Sequence, residues 1–208
     1  MAAFSFHETK NIISGEGGAL LINDSKFIER AEVIREKGTN RSKFFRGEVD
    51  KYTWVDVGSS YLPSEITAAF LMAQLENAFK INKKRIGVWN KYHKALKVLE
   101  DKGYIQRPFI PSNTEHNGHL YYILMKSHEL RDRLIKFFKK RGILAPFHYV
   151  PLHSSPAGRK FGRFVGKMRV TNKVSDTLLR LPLFYDIKEN EVEYVTKSLC
   201  NFFRYLTI

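Results

Sequence analysis

Cysteine is almost absent from this chain, and acid is scarce beside base. Of 208 residues only Cys200 is a cysteine, so no internal disulfide can form. The Cys-x-x-Cys and His-x-x-x-His spacings of metal centres are missing too. A disulfide-framed secreted scaffold and a metal site are therefore not expected, and a reducing, cytoplasmic setting is the simplest expectation. No stretch reaches the roughly 18 apolar residues that cross a bilayer, so no membrane partner is expected. Residues Met1 to His7 have neither the basic region nor the apolar run of a signal peptide. The 21 acidic residues are outnumbered by 35 Lys and Arg, leaving a net charge of +14. That excess favours an anionic partner: a nucleotide, a nucleic acid or a phosphorylated small molecule. The basic residues are spread along the chain, and no helix-turn-helix, RNA-binding or zinc-finger signature accompanies them, which argues against nucleic acid.

What is there suffices for a packed protein. Hydrophobic residues make up 43% and aromatic residues 13%, unlike a disordered composition. Ala3 to Phe6 and Ala19 to Ile22 read as strands on either side of a polar loop. Asp24 or Ser25 then caps a helix with Phe27, Ala31 and Ile34 on one face and Gly38 as its stop. Residues 39 to 62 read as a long loop, a length that in a compact domain points to function or mobility. Pro63 suits the first turn of a helix whose face is Ile66, Ala69, Phe70 and Ala73. The pattern continues past a break near Lys80 to Arg85, a run read as the wet face of a long connector, through Val88, Trp89, Tyr92, Leu96 and Leu99 to Gly103.

Beyond Tyr104 the order is strand, helix, strand, helix, which predicts a small α/β unit. The elements are a strand over His119 to Met125 and a helix from Ser127 with Leu130, Leu134 and Phe137 on one side. A second strand over Ile143 to Phe147 and a loop from His148 to Pro156 follow. The final helix is striped by Val192, Val195, Leu199, Phe202 and Leu206. His119, heading its strand, reads as a satisfied core histidine.

The chemically informative run is Ser5-Phe6-His7-Glu8-Thr9-Lys10-Asn11, followed by Gly15-Glu16-Gly17-Gly18. A lysine held away from water is favoured as a neutral amine, a nucleophile toward an aldehyde. A serine at a strand end offers its hydroxyl to a phosphate, and glycines let backbone pass close to a ligand. A loop lysine is ordinarily a solvated surface residue, however, and a glycine-rich tetrapeptide ordinarily a plain turn. This one also lacks P-loop spacing. On these residues alone both readings stay open. Arg41, Lys43, Arg46 and Lys51 are interleaved with Phe44, Phe45 and Tyr52. They read either as a solvated basic loop or as a cradle for a nucleotide diphosphate.

Taken in order, the segments Ser5 to Asn11, Gly15 to Gly18, Arg35 to Ser42, Lys51-Tyr52-Thr53-Trp54, Gly58 to Leu62, Phe147-His148-Tyr149, Pro151-Leu152-His153 and Arg180 to Tyr185 resemble the DegT/StrS family of nucleotide-sugar aminotransferases. The resemblance covers essentially the whole chain. It implies an α/β fold, the C-terminal portion of a type I PLP-dependent aminotransferase. Residues 1–80 would belong to the large cofactor domain, and 81–208 to a connector helix and a small C-terminal α/β domain. It implies pyridoxal phosphate as cofactor, with Lys10 the lysine that holds it and moves protons, and Ser5 the serine that binds its phosphate. A family asparagine that reaches across the dimer has no counterpart in Ser60-Tyr61-Leu62, which leaves Ser60 or Ser59 to take that role. Arg41, Lys51, Tyr52, His148 and Tyr149 would contact the substrate. The implied reaction moves an amino group, usually from glutamate, to a dTDP-linked 4-keto-6-deoxy sugar for cell-surface polysaccharide or lipopolysaccharide, in a homodimer.

The family's lysine segment normally lies near mid-chain, and here it starts almost at Met1. The expectation is therefore that the chain lacks an N-terminal half carrying the acid for the pyridine nitrogen and the stacking aromatic. It would then be inactive alone and would need a complementary half. The competing reading is a non-catalytic basic binding module for a partner subunit or nucleic acid.

Overall fold

In the computed structural model residues 1–205 are described, so Leu206 lies outside the described residues. The chain divides into two compact units, Met1–Phe79 and the residues from Lys80 on. No described helix is long and apolar enough to cross a membrane.

In the first unit β1 (Ala2–Ser5) and β2 (Gly18–Leu21) pair antiparallel, with Ala2 opposite Leu21 and Ser5 opposite Gly18. Gly18 is required there, because a Cβ would fall 2.7 Å from the Phe4 carbonyl oxygen. Every residue of both strands is exposed. Asp24 caps a 3₁₀ turn by accepting from the Lys26 N–H, and α1 (Ile28–Arg35) follows. The apolar face read from the sequence stands uncovered: Phe27 and Ile34 are exposed, and α1 buries Val33. The expected loop contains one short helix, α2 (Arg41–Phe45).

Then comes α3 (Glu65–Glu76). Pro63 precedes the helix instead of opening it, because Ser64 is the cap and accepts from the Thr67 N–H. Of the expected apolar face, Ile66 is 85% and Phe70 49% exposed. Among the first unit's hydrophobic residues only Val33 is buried. This unit carries elements without a core of its own.

The second unit has the core. Helix α4 (Ala78–Ala95) gives way at Leu96 to α5 (Lys97–Asp101). The helical path breaks at Asn77 and Leu96, not near Lys80 to Arg85. The Asn77 side chain donates to the Ala73 carbonyl, a local bond that competes with helix continuation. Nor is the Lys80–Arg85 run all wet, since Ile81 and Arg85 are buried. The Arg85 guanidinium donates to the carbonyls of Gly118 at 3.1 Å, His119 at 2.5 Å and Leu183 at 3.3 Å. It thus satisfies loop carbonyls that would otherwise be orphaned.

A three-stranded antiparallel sheet in the order β3 (Ile105–Gln106), β4 (Tyr121–Met125), β5 (Leu178–Leu181) follows. Helix α6 (His128–Lys139) starts at Ser127, as expected, and buries Arg131, Leu134 and Phe138, while Phe137 is only half-buried. Ile143 to Phe147 is not a strand. Proline at 146 removes a donor, and only Phe147 bridges to Leu179. Two helices went unforeseen, α7 (Pro156–Phe161) and α8 (Arg169–Thr177), and so did β5.

Last comes α9 (Glu189–Arg204), whose first turn is closed by the Glu191 carboxylate accepting from the Lys188 N–H. Val192, Val195, Leu199 and Phe202 bury on it as the stripe predicts, against Tyr92, Tyr121, Ile123, Leu134 and Phe138 in one core. The Tyr92 hydroxyl donates to the Pro182 carbonyl at 2.9 Å. Cys200 is a half-buried thiol whose pKa is raised by burial.

Candidate active site

In the first unit, the loop between β1 and β2 holds Lys10. It is stitched to itself by the Phe6 N–H on the Gly17 carbonyl (2.8 Å), the Glu8 N–H on Gly15 (2.8 Å) and the Ser14 N–H on Phe6 (2.7 Å). The Ser14 hydroxyl reaches the Glu16 carbonyl, and His7 Nδ1 pairs with the Thr9 hydroxyl at 2.9 Å. The Lys10 N–H closes a tight turn onto the His7 carbonyl. The Lys10 side chain is half-buried and has no acidic partner among the described residues, which leaves its amine available. Ser5, the last residue of β1, has its Oγ accepting from the His7 N–H at 3.4 Å, so the hydroxyl proton stays free to donate.

A hydroxyl and an unpaired amine on one hairpin are the donor set that a phosphate and an aldehyde on one molecule would need. These residues fit pyridoxal phosphate. An apolar groove in this unit, lined by Met1, Phe4, Leu20, Ile28, Ile34 and Tyr61, includes neither Lys10 nor Ser5.

The stretch from Glu36 to Ser60 folds back on itself. Gly38, at φ +76°, takes the Val55 and Asp56 N–H groups on its carbonyl. A Cβ on Gly38 would lie 1.7 Å from the Asp56 oxygen. Ser60 is held here by a backbone bridge to Glu36, and its side chain is exposed. Of the candidate cations, Lys43 is paired with Glu29 at 2.6 Å, and Arg46 forks onto Glu32 at 2.8 and 3.1 Å and onto Glu48 at 2.6 Å. Those two are committed to the fold. Arg41 stands over Phe45 at 5.1 Å and over Tyr52 at 5.9 Å. It shares a face with two aromatics and keeps its donors unspent on acids. Lys51 is exposed beside them in sequence.

In the second unit the loop bearing His148 and Tyr149 runs against β5. The Arg180 N–H donates to the Pro146 carbonyl at 3.0 Å, and the Ser175 hydroxyl to Tyr149's at 2.9 Å. The His148 and Tyr149 rings lie 4.7 Å apart. Arg180, which the sequence placed in a landmark but not in the site, stands 5.8 Å from the Tyr149 ring. His119 is half-buried, and its carbonyl receives Arg85.

Two histidines of this unit are held below the usual imidazole range. His93 is lowered by burial and then by Arg107 and His116, against an opposing pull from Glu100. His148 is lowered by burial and Arg180. Each binds a proton more readily when unfolded. Their contribution to stability is therefore complete above the ordinary value of 6.5 and declines as pH falls through and below it. In urea titrations the unfolding midpoint should drop on acidification below that value. His93→Gln with His148→Gln should flatten the decline. An unchanged slope in the double variant would contradict the assignment.

The chain matches the model of the DegT/DnrJ/EryC1/StrS aminotransferase family over residues 1–200. It is 32% identical to the UDP-4-amino-4,6-dideoxy-N-acetyl-beta-L-altrosamine transaminase of Helicobacter pylori, over 73% of this chain and 39% of that protein. Among solved structures, aminotransferase TlmJ from Streptoalloteichus hindustanus superposes with a TM-score of 0.84 at 21% identity, covering 99% of this chain and 52% of its own. Helicobacter pylori PseC, an aminotransferase involved in the biosynthesis of pseudoaminic acid, gives 0.83 at 25%, covering 98% and 53%. The chain thus spans about half the length of the solved proteins it matches. Its α/β fold is the C-terminal portion of the type I PLP-dependent aminotransferase fold.

Proposed function

Because the chain belongs to the DegT/DnrJ/EryC1/StrS aminotransferase family, whose cofactor is pyridoxal phosphate, we propose that it carries the cofactor lysine of a cytoplasmic nucleotide-sugar aminotransferase. Residues 1–80 supply the end of the large cofactor domain, and 81–208 the connector and small domain. The reading rests on the β1–β2 hairpin, where an amine without an acidic partner and a serine hydroxyl share one stitched loop.

When bound, pyridoxal phosphate supplies the electron sink through which an amino group passes from donor to acceptor. The chain's own residues do the rest. Lys10 Nζ would hold the cofactor and would take and return a proton at the reacting carbon. The Ser5 hydroxyl donates to the phosphate, and Ser60 supplies a second hydroxyl across a homodimer interface. Arg41 and Lys51 carry charge for a nucleotide diphosphate, with Tyr52 offering a ring face to its base. His148 and Tyr149 contact the sugar. The acceptor in this proposal is a dTDP-linked 4-keto-6-deoxy sugar and the donor glutamate, in the making of cell-surface polysaccharide or lipopolysaccharide. Support for a nucleotide sugar comes from the Helicobacter pylori relative, whose name specifies a UDP-linked amino sugar.

The first unit's lack of a core supports a further part of the proposal: this stretch acts only when more polypeptide covers it, and alone it does not turn over. The direct test is to incubate the chain, alone and in enzyme completed to its relatives' length, with pyridoxal phosphate and borohydride. Peptide mapping should find the modification on Lys10. A label confined to other lysines in the completed enzyme would refute the assignment.

A further inference from the structure

Two buried polar atoms in the second unit have no hydrogen-bond partner, and both belong to one cluster: His148 Nδ1 and Arg180 Nε. Native proteins rarely leave such atoms unmet, since a buried polar atom without a partner has lost its water for nothing. The rest of the cluster points the same way. Arg180 Nη2 spends itself on the Phe147 carbonyl at 3.4 Å, a long contact that is easily given up. Nε and Nη2 together form one edge of the guanidinium, the fork that takes two oxygens of a carboxylate or phosphate side-on. No acid pairs with Arg180 among the described residues.

Tyr149 is held at φ +35°, a conformation that a tyrosine rarely adopts and that is usually found where the surroundings impose it for function. The Ser175 hydroxyl donates to its carbonyl at 2.9 Å. The Tyr149 ring stands against both His148 and the Arg180 guanidinium.

We propose that Arg180, with His148 and Tyr149, forms an oxyanion site that grips a carboxylate or phosphate group through the Nε–Nη2 edge of the guanidinium. The loop from Pro146 to Tyr149 shifts to admit it. This deepens the reading of His148 and Tyr149 as substrate contacts by giving the site its charge and its ligand class. Arg180 is the specificity residue and His148 the neutral neighbour. Burial and the adjacent guanidinium keep that imidazole uncharged, so it can accept a hydrogen bond from a ligand hydroxyl or amine.

The test uses the full chain, nitrogen-15 labelled, and follows the Arg180 Nε–H resonance. Sodium glutamate and inorganic phosphate are titrated separately, at ionic strength held constant with chloride. A saturable shift with either probe supports the site, and the probe that saturates at lower concentration identifies the source of the oxyanion. Arg180→Lys, which keeps the charge but loses the fork and with it the Nε–H signal, should abolish the saturable shift of the neighbouring His148 and Tyr149 resonances. Arg133→Lys, on the outer face of α6, should leave it intact. No saturable shift with either probe overturns the proposal, and so does unchanged saturation of the His148 and Tyr149 resonances in Arg180→Lys. The measurement needs neither cofactor nor turnover. It can therefore fail while Lys10 is still labelled by borohydride, and it can succeed if Lys10 is not.

Discussion

Lys10→Ala, in enzyme completed to its relatives' length, should lower turnover by at least about a thousandfold, the loss expected when the group that moves the proton is removed. The borohydride-trapped label should vanish with it. Stability should barely move, within about 0.5 kcal/mol, because the Lys10 side chain has no ion pair and the loop is stitched by backbone bonds that do not involve it. Lys10→Arg separates charge from chemistry: it keeps the cation but does not provide a usable nucleophile, and it should be as inactive as alanine. Small primary amines added to Lys10→Ala should restore part of the proton transfer. Full turnover in Lys10→Ala, measured at saturating donor, would end the proposal.

Phe138→Ala should cost about 3–5 kcal/mol, a large share of the roughly 5–15 kcal/mol that holds a domain together. Phe138 is fully buried in the core that α4, α6, α9 and the sheet share. Its carbonyl also receives the Arg141 and Ile143 N–H groups that turn the chain out of α6. Neighbouring Phe137 is half-buried, edge-on to Phe202 at 5.3 Å and covered by Arg141 at 3.6 Å. Its alanine variant should cost clearly less. Urea unfolding followed by circular dichroism compares the two, and equal losses would mean that the helix is rotated from the described orientation.

That pair of phenylalanines shows how far sequence reading reached. Helix α6 was legible from its Ser127 cap and apolar spacing. The face that spacing gives, Leu130, Leu134 and Phe137, does pack on the core, with Leu134 buried and the other two partly buried, while Arg131 and Phe138 bury beyond it. An arginine at a buried position shifts the apparent stripe by one residue. Arg85 misled in the same way. Within Lys80 to Arg85 nothing distinguishes a solvated cation from one that closes three carbonyls from distant loops. β5 carries little signal because Leu178-Leu179-Arg180-Leu181 has too few residues before Pro182 to show alternation, while Ile143 to Phe147 reads as a strand and is not one.

The candidate site was legible mainly through ordered motifs. Ser5 and Lys10 stood out by resemblance, not by any local pattern. The orphaned Arg180 edge had no signal at all, because burial without a partner is a property of the folded chain. The first unit's apolar faces were read correctly as apolar. What covers them lies beyond contacts made by the described residues.

That unit leaves solubility and assembly opposed. Ile66, Val57 and Phe79, at 85%, 74% and 94% exposure, are the side chains a protein engineer would first make polar to keep the isolated polypeptide from clumping. They are also the ones a covering surface would need. Variants selected for good behaviour in a test tube would thus be poor at joining the proposed assembly, and a screen for expression alone would enrich the wrong molecules.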